Sequence, residues 1–368
     1  MRTKQVPTPQ KSIRPVTMLT VPYSAASAAR AFREAGINKF PDLSKTVRFE
    51  LVIDNPLFTE PVLVVHYGNY YDGDPTRLGF ETYIPVEQVG NHYFFDLGEN
   101  SEMQYFSIRI TEKLASRKMR SHLFQYYHFE PGDNIIIRQH GLKTTEKRCK
   151  LSFKGKGAAK YRCQHEIKNV QPANLPSTLN KIADSKLGYF AVIRQTMVGV
   201  IEKYATELSP DSYQLQKLDI ICMMERDMVA AFQERLSCAL KNEDQDAYAA
   251  ISVEYRNERK AELLMEIPGR LKYKSREYAW YMVTKYVCDY IDQYQHINYM
   301  GVYYEIMKTA DCDLRDRMIV TFFILHYRDF RNEYRSLADH AITHLQNMEC
   351  LEMLIFLQHR SYINYTKY

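Results

Sequence analysis

The residues best placed to do chemistry together are lysines and arginines concentrated in one stretch of the chain. Between Thr111 and Arg162 there are 13 basic and 4 acidic residues, against a formal net charge of +5 for all 368 residues. A basic surface of this kind can bind phosphates, nucleic acid or anionic lipid. The alternative, which we favour, is a set of strands with lysines on their solvent faces and edges. The residues that would form an anion or nucleic-acid patch are Lys118, Arg120, Lys147, Arg148, Lys150, Lys154 and Lys156.

The seven cysteines do not indicate redox or zinc chemistry. No two of them have the C-x-x-C spacing that dithiol redox sites and zinc ribbons use. Cys222, Cys238 and Cys288 lie among apolar residues of predicted helices. We predict that these three are buried as small hydrophobic side chains.

Other local motifs are incomplete. His340 and His344 are four residues apart on a predicted helix, but a zinc site needs a third ligand, and Ala341 stands where H-E-x-x-H has its glutamate. We therefore favour a solvated face there. The stretch 154–157 lacks the spacing of a phosphate-binding loop, and we interpret it as the exit from a strand into a loop. We predict no catalytic residue, no metal ligand and no cofactor.

Two further interpretations stay open at this point. A hydrolase whose site is assembled from scattered residues would show itself as a deep pocket where titratable groups converge. Eight of the 29 tyrosines lie between residues 278 and 304. Their rings could stack on sugars or bases, but their helical spacing favours a packing surface with polar tips.

The elements that must position these residues fall into two groups. Hydrophobic residues make up 45% and charged residues 25%, which is typical of a globular protein, and the length suggests about two domains. No apolar run reaches the ~20 residues of a membrane-spanning helix.

Residues 45–165 predict a β-sandwich and residues 166–368 a helical domain. Apolar and polar residues alternate from Val47 to Ile53, and further short strands follow with turns between them. In the second part, Ser209 before Pro210 predicts the start of a long helix, and Ser275 can cap another. The predicted fold class is α+β, an N-terminal antiparallel β-sandwich followed by an all-α domain.

Residues 1–44 predict a basic, flexible N-terminal segment. Arg2, Lys4 and Arg14 precede a short apolar run and then a run of Ser and Ala. This order is that of a secretory signal. The apolar run is short and ends at Pro22, so a basic tail is the alternative.

Three stretches together resemble a known family. They are YFSIRI at 105–110, FEPGDNIII at 129–137 and LSFKGKGAAKYRC at 151–163. Their order is similar to the non-catalytic N-terminal half of TlpA-like, thioredoxin-family proteins of the Gram-negative cell envelope. In that family a β-sandwich with an E-P-G-D-x-I turn precedes a helical segment, and a thioredoxin domain with C-x-x-C follows.

The present chain has no C-x-x-C to receive the family's redox role. The resemblance therefore implies a non-enzymatic accessory protein that binds another protein and is located in the cell envelope or periplasm. The alternative is a cytoplasmic nucleic-acid or anion-binding protein that uses the basic zone 113–162.

Overall fold

The structure is a computed structural model. It describes residues 44–66, 80–114, 117–141, 150–170, 186–258, 267–326 and 333–365, all of which belong to one compact unit. The predicted N-terminal segment 1–44 lies outside the described residues, apart from its last residue. The secretory-signal hypothesis therefore stays a prediction.

Short strands fill the first part of the described chain, as the alternation of apolar and polar residues predicts. The strands are β1 (Thr46–Ile53), β2 (Phe58–His66), β3 (Phe80–Tyr83), β4 (Glu87–Val89), β5 (His92–Glu99), β6 (Gln104–Leu114), β7 (Arg117–Phe129), β8 (Asn134–His140) and β9 (Lys150–Lys156). They form a five-stranded sheet of order β4-β5-β1-β8-β9 and a four-stranded sheet of order β3-β2-β6-β7.

One pairing departs from the predicted antiparallel arrangement. β1 and β8 run parallel, with Phe49 opposite Ile135 and Leu51 opposite Ile137. The prediction of a wholly antiparallel sandwich is wrong at this pair, because parallel neighbours are joined by a long connection rather than by a hairpin. Here the connection from β1 to β8 runs through the intervening strands.

The two sheets enclose one apolar core. Phe49 of β1 and Phe106 of β6 are both buried, and their ring centroids lie 4.7 Å apart across the sandwich. A buried side chain of this size stabilises the folded state by about 1.5–3 kcal/mol. Alternate residues of β1, from Val47 to Ile53, supply this core on one face, and Arg48 and Glu50 lie on the other.

A helix, α1 (Ala158–Lys168), follows β9 directly. The predicted strand-to-loop exit is therefore wrong. Gly157, with φ of 91°, turns the chain from the strand into the helix without the steric cost that a side chain would bring. The domain boundary predicted at 165/166 falls inside this helix.

Helices fill the remainder of the described chain. They are α2 (Lys186–Tyr204), α3 (Pro210–Lys241), α4 (Gln245–Glu258), α5 (Gly269–Lys274), α6 (Arg276–Tyr294), α7 (Tyr299–Met307), α8 (Cys312–His326), α9 (Tyr334–His344) and α10 (Met348–Tyr365). The predicted α+β class is confirmed. Ser209 caps α3 by accepting a hydrogen bond from the Ser212 backbone, and Ser275 caps α6 in the same way.

The helices bury a second apolar core, to which α3, α6 and α8 contribute Phe232, Val287 and Phe322. A smaller cluster joins α1, α2 and α3 through Cys163, Ile201 and Ile220, so α1 is one of the elements that link the sandwich to the helices. Within the residues described, no helix is both long and apolar enough to span a membrane.

Candidate functional site

The predicted basic patch is divided between two sheets. Lys150, Lys154 and Lys156 are exposed on β9 and alternate with buried Leu151 and Phe153, so the three lysines share one solvent face. Arg120 is exposed on β7, which belongs to the other sheet. Lys118 also lies on β7, but its side chain is outside the described residues, as are Lys147 and Arg148.

The β9 lysines differ from the other basic residues on the same sheet in their charge partners. Arg138 and Arg48 are each 3.0 Å from a carboxylate, that of Asp54 and that of Asp96 respectively. In the part of the chain that the structure describes, Lys150, Lys154 and Lys156 form no ion pair. The carboxylates of the described residues therefore do not neutralise the charge of these three lysines.

Two of the three stretches on which the resemblance was based, 129–137 and 151–163, meet in a buried cluster. The Lys160 ammonium lies 2.8 Å from Glu130 Oε2 and 2.6 Å from Asp133 Oδ2, and the Tyr161 hydroxyl donates to Asp133 at 2.7 Å. Ser209 donates to the other oxygen of Glu130. Burial, and secondly the charge of Asp133, raises the pKa of Tyr161. This cluster ties the β7–β8 turn to α1 and to the start of α3.

Two Ser–His pairs lie where the four-stranded sheet meets the helices. His128 Nε2 is 2.8 Å from the Ser212 hydroxyl, and His66 Nε2 is 2.8 Å from that of Ser107. Contact between a hydroxyl and an imidazole is the arrangement that activates a serine nucleophile. Here all four side chains are buried, and burial lowers the pKa of His128. The pairs join strands to each other and to α3, and they give a substrate no access.

A carboxylate completes this junction between sheet and helices. Asp219 of α3 accepts hydrogen bonds from the hydroxyl of Tyr105 and, at 2.6 Å, from that of Ser275. Although Asp219 keeps some exposed area, both of its oxygens are engaged, and burial raises its pKa to about 6. The Arg276 guanidinium stacks 3.5 Å from the ring centre of Tyr126. These contacts fasten α3 and α6 to β6 and β7.

A groove between α3, α4 and α6 brings several titratable side chains together. It holds only about 10 Å³ of space, roughly enough for one water molecule, and Glu225, Glu258 and Lys285 line it together with apolar and tyrosine side chains. Substrate pockets are usually about 300–1,000 Å³. Glu225 is already paired with Arg194, and Lys285 is 2.7 Å from Asp289. Two of the three charged groups in this groove, Glu225 and Lys285, are thus engaged with residues of the fold.

The described cysteines and potential metal ligands do not form a reactive site either. Cys163, Cys222, Cys288 and Cys350 are buried free thiols, whereas Cys238 is exposed. The prediction that Cys238 is buried is wrong, because Leu236 and Ala239 form the buried face of α3 at this point and Cys238 points away from it. Among the described side chains, no three His, Cys, Asp or Glu residues come together as metal ligands.

The predicted tyrosine-rich packing surface is only partly buried. Tyr278, Tyr281 and Tyr303 belong to the helical core, but Tyr294 and Tyr304 are 43% and 44% exposed. Ile297 and Met300 lie between them in sequence and are 43% and 38% exposed. We call Tyr294, Ile297, Met300 and Tyr304 the α6–α7 patch.

Tyr290 of α6 connects the Tyr294 end of the α6–α7 patch to α7. The Tyr290 and Tyr294 rings are 4.5 Å apart, and the Tyr290 ring lies directly against Gly301 of α7. Met300 and Tyr304 are one helical turn apart and therefore share a face. Sequence reasoning noted the tyrosines but missed the patch, because helical spacing does not reveal which rings remain uncovered.

In comparisons with known proteins, no model of a known family matches the chain, and no curated protein matches it.

Proposed function

We propose that the chain is a non-enzymatic binding protein that acts as an accessory to a thiol–disulfide reductase of the thioredoxin family. The observation that carries the proposal is the α6–α7 patch. Protein–protein interfaces are enriched in tyrosine and methionine relative to the remaining surface, and a few such side chains supply most of the binding energy. The identity of the partner rests on the resemblance of residues 129–137 and 151–163 to the TlpA-like proteins.

The buried polar groups support a non-enzymatic role. His128 and Ser212 contact each other away from solvent, and Asp219 is held by Tyr105 and Ser275. Each of these contacts joins a strand to a helix or a helix to a helix. These contacts hold the sandwich and the helices together, and the α6–α7 patch lies on the surface of the helical part.

Calorimetric titration of the full chain with a thioredoxin-fold reductase from the same organism tests the proposal. We expect a complex, and we expect Met300→Ser and Tyr304→Ser each to weaken it about thirtyfold, the effect of losing an interface hot spot. The matched control is Met348→Ser, because Met348 is also exposed but belongs to α10 and is not part of the patch. It should bind as the wild type does.

Two results would count against this function. One is a reductase that does not bind, or that binds the Met300 and Met348 variants equally. The other is reduction of insulin disulfides by the chain alone, since that would show that it is itself an enzyme.

The unneutralised lysines of β9 favour a second candidate, a nucleic-acid or anion-binding protein. Fluorescence anisotropy with a single-stranded oligonucleotide at several salt concentrations tests it. Each phosphate that a lysine neutralises should contribute about 0.7 to the slope of log affinity against log salt. Lys154→Glu should reduce both affinity and slope, whereas Lys308→Glu should not, because Lys308 lies at the end of α7 and is already paired with Glu305. Binding that is insensitive to salt, or equal in both variants, would exclude this candidate.

A further inference from the structure

The five-stranded sheet has one face turned away from the apolar core, which we call its outer face. The helices pack on the other sheet, where α3 contacts Tyr105 and His128. On the outer face of the five-stranded sheet, Ile136 is 38% exposed and Val89 is 57% exposed. Exposed apolar side chains rimmed by polar ones mark surfaces that bind another protein.

One row of side chains crosses all five strands of this outer face. Directly opposite residues of paired strands lie on the same face of a sheet. The register places Lys154 of β9, Ile136 of β8, Glu50 of β1, Phe94 of β5 and Glu87 of β4 side by side. Adjacent strands are about 4.8 Å apart, so the row is ~19 Å long. It begins with a cation, ends with an anion, and has one apolar side chain on each side of its centre.

The two edges of the outer face carry opposite charge. At the β9 edge, Lys150, Lys154 and Lys156 are exposed, and the described residues give them no ion pair. At the β4 edge, Glu87 is exposed, and within the described part of the chain it has no cationic partner either. The face is therefore positive along β9 and negative along β4.

Such a face is complementary to itself in one orientation. Two copies packed face to face around a two-fold axis parallel to β1 place β9 of each copy over β4 of the other. Lys154 then faces Glu87 of the second copy and Ile136 faces Phe94 of the second copy, and symmetry repeats each contact. An axis perpendicular to the strands would instead place β9 over β9, with lysine against lysine.

We propose that a second copy of this chain docks on the outer face of the five-stranded sheet in the first orientation. Glu50 lies near the axis, and its carboxylate accepts a hydrogen bond from His92 of its own copy at 2.7 Å. The strand spacing and lengths give an area of roughly 500 Å² per copy, or ~1,000 Å² in total. A specific interface needs about 1,000 Å², so we expect a weak, reversible dimer. The dimer does not depend on the proposed accessory function.

Sedimentation equilibrium of the full chain at low ionic strength tests this interface. We expect a monomer–dimer equilibrium that added salt weakens, because salt screens exposed charges. Lys154→Glu and Glu87→Lys each place like charges opposite each other at two symmetric contacts, so each should weaken the dimer at least about tenfold. Lys113→Glu is the matched control, because Lys113 is an exposed lysine of β6 in the other sheet. It should associate as the wild type does.

The double variant Lys154→Glu/Glu87→Lys separates this orientation from other modes of association. It restores opposite charges at both contacts and should recover most of the wild-type association. A double variant that associates no better than either single variant, or a wild type that remains monomeric up to about 100 µM, would overturn the proposal. A monomeric wild type that binds an oligonucleotide through Lys154 would also overturn it, and would assign the face to nucleic acid.

Discussion

The ammonium group of Lys160 lies 2.6 Å from Asp133 and 2.8 Å from Glu130, so the lysine of one motif is the buried counter-ion of two carboxylates in the other. The E-P-G-D turn and the G-K-G-A-A-K-Y stretch are thus two halves of one cluster. The cluster links the β7–β8 turn, α1 and, through Ser209, the start of α3. Lys160, Asp133 and Glu130 therefore hold a turn and two helices together.

Lys160→Met tests the importance of this cluster for stability. The change leaves Glu130 and Asp133 without their counter-ion in a buried site, which typically costs about 3–5 kcal/mol. Urea unfolding should show a loss of this size. Lys154→Met, at an exposed lysine of β9, should change the free energy of unfolding by no more than about 0.5 kcal/mol. Similar values for the two variants would show that the buried cluster does not stabilise the fold.

Gly155→Ala tests the close approach of β9 to β8. Gly155 has φ of 104°, and a Cβ atom there would overlap the backbone carbonyl oxygen of Asn134. Gly98 also has a positive φ, of 70°, but open space surrounds its Cα. Gly98→Ala should cost about 1–2 kcal/mol through backbone strain alone. Gly155→Ala should cost at least about 2 kcal/mol more, since the clash is added. Equal midpoints of urea unfolding would contradict this account.

Asp219→Asn tests the junction between sheet and helices through its pH dependence. Burial raises the pKa of Asp219 from 3.8 to about 6, so between these values the folded state holds a proton that the unfolded chain has released. This group therefore lowers the stability of the wild type as pH rises through that window. The variant cannot lose that proton, so relative to the wild type it should gain about 1–3 kcal/mol from pH 4 to pH 6.

Ser275→Ala provides the second arm of this experiment. The Ser275 hydroxyl donates to Asp219 and lowers its pKa, so removing it should shift the wild-type pH window to higher values. Urea midpoints measured between pH 4 and pH 7 check both variants. If the urea midpoints of the wild type and of Asp219→Asn change with pH in parallel, the Asp219 carboxyl has the same pKa in the folded protein as in the unfolded chain.

Features local in sequence were predictable. The alternation from Val47 to Ile53 indicated β1, and Ser209 before Pro210 marked the start of α3. Each depends on neighbouring residues alone, since strand alternation and helix capping act over a few positions. The burial of Cys222 and Cys288 was also predicted correctly from their apolar neighbours.

Features that depend on distant residues were not predictable. The parallel pairing of β1 with β8 joins residues more than 80 positions apart, such as Phe49 and Ile135. The glycines before α1 predicted a loop. The Asp133 carboxylate, which lies against Gly157, is 24 positions away and gave no local signal for the helix that follows. The α6–α7 patch was missed for the same reason, since exposure depends on what packs nearby.

Hydrogen–deuterium exchange of the full chain, with and without a bound thioredoxin-fold reductase, tests the central claim most directly. If the α6–α7 patch is the docking surface, the reductase should slow exchange in residues 290–304 and leave β9 unchanged. Protection confined to β9, or to neither region in a complex shown to form, would contradict the proposed function.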